Sequence, residues 1–382
     1  MARINRILGS TESLQKASDA YKSLLELDPI DYGIYRQQAE LEQQRGDYAA
    51  AADYLRDFLE QEPDSGDAHL QLAGVYQALG DLEAAQDSLE DASILSDSPL
   101  ESEIGLARLE ARRGFFGEAE ERLAGQLNDD LGPQQRVQVM AAQSEVAFVR
   151  GQIERVIALQ GEIGEIAKEF MPPIARLMGI ENQQATMLAL LGKTDEAIAI
   201  ADAISVQLQP PMDAYMNFTY ASIYDAANDR ESYRDMVDKS MQVQDQLPPL
   251  TQPFLEMQLA RVAIWDGQID AAIVHLERAS ELLGQSFIQV FQNNLSTSSL
   301  HVMLAELYLD AQAIDESRER VDEILKVFPA SGEAILLSAK IHAAEGNDAG
   351  VREALTAASE IWSAADADYI RSAESRSLMS RL

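Results

Sequence analysis

The sequence predicts an all-α solenoid, an array of antiparallel helix pairs, and three observations predict it. Three turns share one pattern: Arg45-Gly46-Asp47-Tyr48, Leu79-Gly80-Asp81-Leu82 and Arg113-Gly114-Phe115-Phe116. Their glycines stand 34 residues apart, twice in succession. A fixed period of that size marks an architecture built by repeating one supersecondary unit. Each turn also separates two apolar stretches of helical period. Leu72, Ala73 and Tyr76 share one helix face before Gly80, and Ala85, Leu89 and Ala92 share one after it. Finally, aromatic residues make up only 6% of the chain, and Val, Ile and Thr do not dominate, which disfavours an all-β protein.

Taken in order, the elements begin with an orphan helix over about residues 12–28, inside an N-terminal capping segment 1–31. Three regular pairs follow over 32–131, turning at Gly46, Gly80 and Gly114. Pro29 and Pro63, also 34 residues apart, stop helices that they cannot continue. Four stretched pairs are expected over 132–297, turning at Gly151, Gly192, Asn228 and Gly267, with an insertion at 284–298. Asn228 stands in for glycine because Asn tolerates the left-handed conformation. Two further pairs occupy 298–365, turning at Gln312 and Gly346. Gln312 departs from the pattern, yet Leu304, Ala305 and Tyr308 before it and Pro329 after it keep the rhythm. Successive spacings after Gly114 are 37, 41, 36, 39, 45 and 34 residues. The pairs Pro172-Pro173, Pro210-Pro211 and Pro248-Pro249 fall between predicted helices, as helix stops should. Residues 366–382, holding Arg371, Arg376 and Arg381, read as a capping helix with a frayed tail. The nine pairs read as one continuous array; the alternative is two segments meeting near residue 132.

The turn glycines, the small Ala51, Ala85 and Ala119 after them, and the terminal prolines together resemble the tetratricopeptide repeat. The first three units and the last two match strongly, and the middle four more loosely. The resemblance implies a right-handed superhelix whose concave face, lined by the first helix of each unit, holds a peptide or protein. One subgroup of that family clamps a C-terminal carboxylate with Lys, Asn and Arg. The corresponding positions here are Arg36 and Glu40, Leu70 and Gly74, and Ile104 and Arg108, so the clamp is not expected. Arg36, Arg108 and Arg112 remain a smaller candidate basic spot; the competing reading pairs each with neighbouring acids.

Charge bounds the partners. Thirty Lys and Arg against 64 Asp and Glu give a net charge of −34, which repels phosphate backbones and anionic lipid surfaces. Nucleic-acid binding and membrane insertion are therefore not expected. Fifteen acids and one base lie between Asp47 and Glu103, a face suited to steering a basic partner or to solubility. The absence of cysteine removes disulfides and thiolate chemistry. Arg3 and Arg6 are followed by no apolar run of signal-peptide length, so a cytoplasmic protein is expected, or a periplasmic one if an export signal has been removed.

Catalytic signals are weak. His69, His275, His301 and His342 stand at no metal-ligand spacing, and three of them occupy packing positions of the repeat. Leu191-Gly192-Lys193-Thr194 imitates the end of a phosphate loop, but Met187 stands where that motif needs glycine. No cofactor, metal or enzymatic role is expected. Binding is better supported. Tyr215, Phe218, Phe254, Met257, Arg261 and Trp265 are expected to face inward from the sixth and seventh units, and such side chains are common interface anchors. The competing reading packs these rings against one another. Phe287, Ile288, Val290 and Phe291 in the uncharged insertion are candidates for a lid over that groove. The reading is a non-catalytic protein-interaction scaffold. Its alternatives are a component of envelope or export assembly, of polysaccharide or pilus type, and an acidic mimic of nucleic acid.

Overall fold

The computed structural model describes residues 11–27, 32–246, 251–286 and 298–381, and the described residues form helices and connecting turns without a strand. In chain order the helices are α1 (Thr11–Leu27), α2 (Tyr32–Arg45), α3 (Tyr48–Leu59), α4 (Gly66–Leu79), α5 (Leu82–Leu95), α6 (Leu100–Arg112) and α7 (Phe116–Gln126). They continue with α8 (Pro133–Val149), α9 (Ile153–Ala167), α10 (Asn182–Leu190), α11 (Thr194–Ser205), α12 (Met216–Ala226) and α13 (Arg230–Gln242). The last seven are α14 (Gln252–Trp265), α15 (Ile269–Ser286), α16 (Ser298–Asp310), α17 (Ile314–Val327), α18 (Gly332–Ala344), α19 (Asp348–Ile361) and α20 (Ile370–Met379).

From α2 to α19 the helices form pairs, each joined through one residue of positive φ. These residues are Gly46, Gly80, Gly114, Gly151, Gly192, Asn228 (φ 55°), Gly267, Gln312 (φ 63°) and Gly346, the positions the repeat spacing predicts. The second pair shows why the chain reverses there. Gly80 N–H donates to Gln77 C=O at 3.1 Å and Asp81 N–H to Tyr76 C=O at 2.9 Å, satisfying the carbonyls that end α4. Asp81 then starts α5 by accepting from Ala84 N–H at 3.1 Å. Asp47, Asp229 and Asn347 cap α3, α13 and α19 in the same way. Such caps contribute about 1 kcal/mol each.

The stretched middle units absorb their extra length locally. A helical turn at Pro173–Arg176 and a π-helical turn at Leu177–Glu181 precede α10, and a 3-10 turn at Met212–Tyr215 precedes α12. A π turn accommodates an additional residue without ending the helix.

Two compact units share the chain, dividing after Glu110, inside α6. In the first, α1 packs on α2 through Ala17, Tyr21, Ile34 and Leu41. A buried polar cluster reinforces that contact: Ser18 Oγ donates to Glu42 at 2.9 Å, and Gln38 Nε2 to the same carboxylate at 2.6 Å. Ala51 and Ala85 are fully buried, so the helices approach closely, with Leu55 and Leu89 filling the space beside them. Each buried leucine contributes about 1.5–3 kcal/mol. Of the fifteen acids between Asp47 and Glu103, all but half-buried Glu103 are exposed.

The second unit comprises Ala111–Leu282 and the described residues from 298 onward. Leu188, Ala197, Ala201, Ile204, Met216 and Ile223 form one core; Ala221, Tyr233, Met236, Val237 and Leu255 form the next. A third joins both ends of the unit: Ala147, Ile153 and Val156 of α8 and α9 cluster with Leu336, Leu355, Trp362 and Tyr369 from the C-terminal helices. The C-terminal segment from residue 366 holds the helix α20, with Ser372 and Ser375 buried and Arg376 donating to Ala367 C=O at 2.9 Å. It also pairs by charge with α16, as described below.

The turns give a stability test. A side chain in the left-handed region costs about 1–2 kcal/mol. Gln312→Gly removes that cost against the greater chain entropy of glycine, and raises stability by roughly 0.5–1 kcal/mol in urea unfolding. Gly346→Ala lowers it by about 1 kcal/mol through backbone strain alone, because nothing lies within 4 Å of the added Cβ. A Gln312→Gly protein weaker than the wild type would refute this account of the turns.

Candidate functional site

The second unit carries the richest chemistry, on the first helices of its later pairs. Arg261, Glu306 and Lys340 each stand six residues before a turn residue, in α14, α16 and α18. Equivalent positions on successive helices bring alternating charges side by side. Arg261 Nη1 donates to Asp310 Oδ2 at 2.5 Å, and its Nε lies 3.7 Å from Asp225 Oδ1 of α12. Lys340 Nζ bridges Glu306 at 3.0 Å and Glu374 at 2.7 Å. Arg371 of α20 meets the Glu306 carboxylate with two parallel bonds of 3.0 and 2.9 Å, and its Nε lies 3.9 Å from Glu333. A cleft of about 200 Å³ beside the network is lined by Val302, Glu306, Glu333, Leu336, Leu337, Lys340 and Arg371.

Burial alone would raise the Glu306 carboxyl, but Arg371 and then Lys340 outweigh it and hold it well below the usual carboxylate range. Burial works against the charge of Lys340 too, and Glu306 and Glu374 more than offset it. The other end of the network differs. Burial pushes both Asp225 and Asp310 up, because they share Arg261 and it offsets the cost only in part. The arrangement ties five helices together with paired charges. Among the described residues no group of three or more His, Asp or Glu is placed to hold a metal ion.

The residues selected from sequence are distributed as follows. Phe218 and Phe254 meet edge to face with centroids 6.3 Å apart, joining α12 to α14. Tyr215, in the 3-10 turn before α12, is half-buried, and burial raises its hydroxyl pKa. Arg261 is the cation between Asp225 and Asp310. Met257 is 2% exposed, a packing residue of α14. Trp265 packs edge to face on Tyr233 at 5.0 Å, with the Arg230 and Arg234 guanidinium groups 5.1 and 5.9 Å from its ring. Met257 and Trp265 are thus engaged within the unit.

Arg36 lies over the Phe58 ring at 5.7 Å in the first unit, where Arg108 also falls. Arg112 belongs to the second unit, is 7% exposed, and its carbonyl accepts from Ala330 N–H at 2.9 Å. Phe287, Ile288, Val290 and Phe291 lie outside the described residues. His275 Nδ1 sits 2.6 Å from Glu256, and His69 lies 3.0 Å from the Pro63 carbonyl. Gly192 is a repeat turn with φ 70°, not a phosphate loop.

Two models of the tetratricopeptide repeat match the chain, over residues 4–73 and 66–93. The same left-handed turn recurs through all nine pairs. The repeated turn is consistent with tetratricopeptide repeats, which the family models match over residues 4–93. Comparison with curated proteins finds no match. Among solved structures, a tetratricopeptide repeat protein from Parabacteroides merdae is 14% identical, covering 67% of this chain and 96% of that one, with a TM-score of 0.47. Pseudomonas aeruginosa pilF is 18% identical, covering 56% of this chain and 91% of that one, with a TM-score of 0.40. Yeast Tom70 is 13% identical over 99% of this chain and 95% of that one, with a TM-score of 0.37. No described helix of this repeat protein is long and apolar enough to cross a membrane.

Sequence reasoning missed the Glu306–Arg371 pair. The alternation of Arg261, Glu306 and Lys340 at one repeat position was an available signal for part of the network. Nothing in the sequence joined Arg371 to it.

The depressed Glu306 pKa fixes a pH dependence. A carboxyl held below its ordinary value stabilises the fold fully above that value, 4.5, and loses the contribution as pH falls. Glu306→Gln removes the carboxylate that Arg371 and Lys340 share and costs about 3 kcal/mol at pH 7, within the range for breaking a buried ion pair. Urea unfolding should show the gap between the two proteins narrowing steadily below pH 4.5; a gap constant down to pH 3 would overturn the assignment.

Proposed function

We propose that this chain is a non-catalytic protein-interaction scaffold that receives a peptide segment across the inner faces of α12 and α14. One observation carries the reading: those faces bear two chemically distinct layers. Phe218 and Phe254 form an apolar layer. Seven residues further along each helix, about two turns, Asp225 and Arg261 form a polar one, continued by Asp310 of α16. Tyr215 extends the apolar end. An apolar anchor beside directional charged groups is how interfaces combine affinity with register.

The exposed acids of the first unit support a supplementary role. A partner with a basic surface would be drawn in by long-range attraction, which raises association rate more than it slows dissociation. Affinity is then expected to come from the α12–α14 face, and the rate of approach from α3–α6.

The test is a peptide selection on the full chain from a displayed random library. Selected peptides should bind the wild type and lose about 2 kcal/mol of affinity, roughly thirtyfold, on Phe254→Ala. Arg261→Ala, read by calorimetry, should weaken only those with a polar group at one fixed spacing from the apolar anchor. Raising salt from about 0.05 to about 0.3 M should slow association of a basic peptide severalfold with little effect on its dissociation. Peptides that bind Phe218→Ala and Phe254→Ala as tightly as wild type would exclude this face as the site.

A further inference from the structure

Open repeat arrays are quasi-one-dimensional: each repeat touches its neighbours, and the ends fray first. The second unit departs from this, because its C-terminal segment returns to the turn that joins α8 to α9. Trp362, just past α19, donates its indole N–H to Val149 C=O at 3.1 Å. Four residues on, Asp366 N–H donates to Gly151 C=O at 3.0 Å. The Asp366 carboxylate in turn accepts from Glu154 N–H at 2.8 Å. That last bond fills a gap: Gln152 begins α9 without a side-chain cap, leaving early N–H groups in need of acceptors. An aspartate from the far end of the sequence supplies one.

The packing around these bonds leaves no slack. A Cβ on Gly151 would come within 2.7 Å of the Tyr369 ring and 2.8 Å of Ala365. A Cβ on Gly332 would come within 2.7 Å of the Trp362 indole. The two rings meet edge to face at 5.7 Å and are 5% and 1% exposed. A second strand of the same contact lies alongside, where Ala330 N–H meets Arg112 C=O.

We infer that residues 362–369 are an intramolecular clasp that closes the second unit on itself, so that its first and last repeats open together. The α8–α9 turn and the segment α18–α20 then form one cooperative element. The ninth pair is held by the eighth pair and by the clasp, and α9 lacks its N-terminal acceptor whenever the clasp is open. The clasp also connects to the ionic network, since Tyr369 Oη donates to Glu333 at 3.4 Å.

Hydrogen exchange on the full chain tests this. Amides of residues 147–156 and of 355–372 should share one opening rate and one urea dependence. Gly151→Ala should speed exchange in both segments together by roughly tenfold or more. Gly192→Ala is the control: it imposes the same backbone strain, with φ 70° against 71°, but meets nothing within 4 Å. It should leave 355–372 unchanged. Asp366→Ala removes only the acceptor for Glu154, a milder change should Gly151→Ala fail to fold, and should again loosen both segments. If 355–372 exchanges ahead of 147–156 in the wild type, the unit frays from its end and the clasp is refuted. It is equally refuted if Gly192→Ala loosens 355–372 as much as Gly151→Ala does.

Discussion

A single backbone conformation, one residue at positive φ between two helices, is the constraint on which the rest of this structure depends. It reverses the chain within a few atoms, so that consecutive helices lie antiparallel and their apolar stripes face each other. Gly46, Gly80 and Gly346 adopt it freely, and Asn228 and Gln312 at some cost. Because the next residue is often Asp or Asn, one short segment both ends a helix and starts another. Repetition of that device places equivalent positions of successive first helices side by side. Arg261, Glu306 and Lys340 meet their partners because the turns recur, not because they are near in sequence.

Charge has two roles that the structure keeps apart. Between Asp47 and Glu103 of the first unit it is exposed and nearly all of one sign, and salt screens it over about 8–10 Å at ordinary ionic strength. In the ionic network of the second unit it is enclosed and paired. Arg371 and Lys340 compensate Glu306 well enough to depress its pKa, whereas Asp225 and Asp310 share one guanidinium and are shifted the other way. Enclosed pairs cost desolvation and return geometry: they fix which helices are neighbours more than they add stability. The two underpaired aspartates stand at the polar end of the α12–α14 face, next to the apolar layer proposed to hold a peptide.

Closure changes how such an array transmits a perturbation. In an open solenoid, a ligand on the sixth and seventh pairs stiffens only their neighbours. Here a chain of contacts runs from Arg261 through Asp310 and, one helical turn earlier on α16, Glu306 to Arg371, then to Glu333 and Tyr369. The rim of the face and the clasp are therefore linked by contacts through α16, α18 and α20.

The sequence by itself determined the helices and the turns. Those depend on local rules: Gly, Asn and Asp have their own backbone preferences, and apolar residues at helical spacing must be buried whatever they pack against. It also placed Phe254 and Arg261 on one face of α14, because residues seven apart share a helix face. Tertiary structure alone decided which of these side chains were already engaged. Trp265 turned back onto Tyr233 and Met257 went into the core, since helix rotation is set by neighbours that periodicity does not specify. It decided, too, that Asp366 caps α9 and that Arg371 neutralises Glu306. Those partners are 212 and 65 residues apart in the chain, and no local pattern encodes a contact between helices so far apart in sequence.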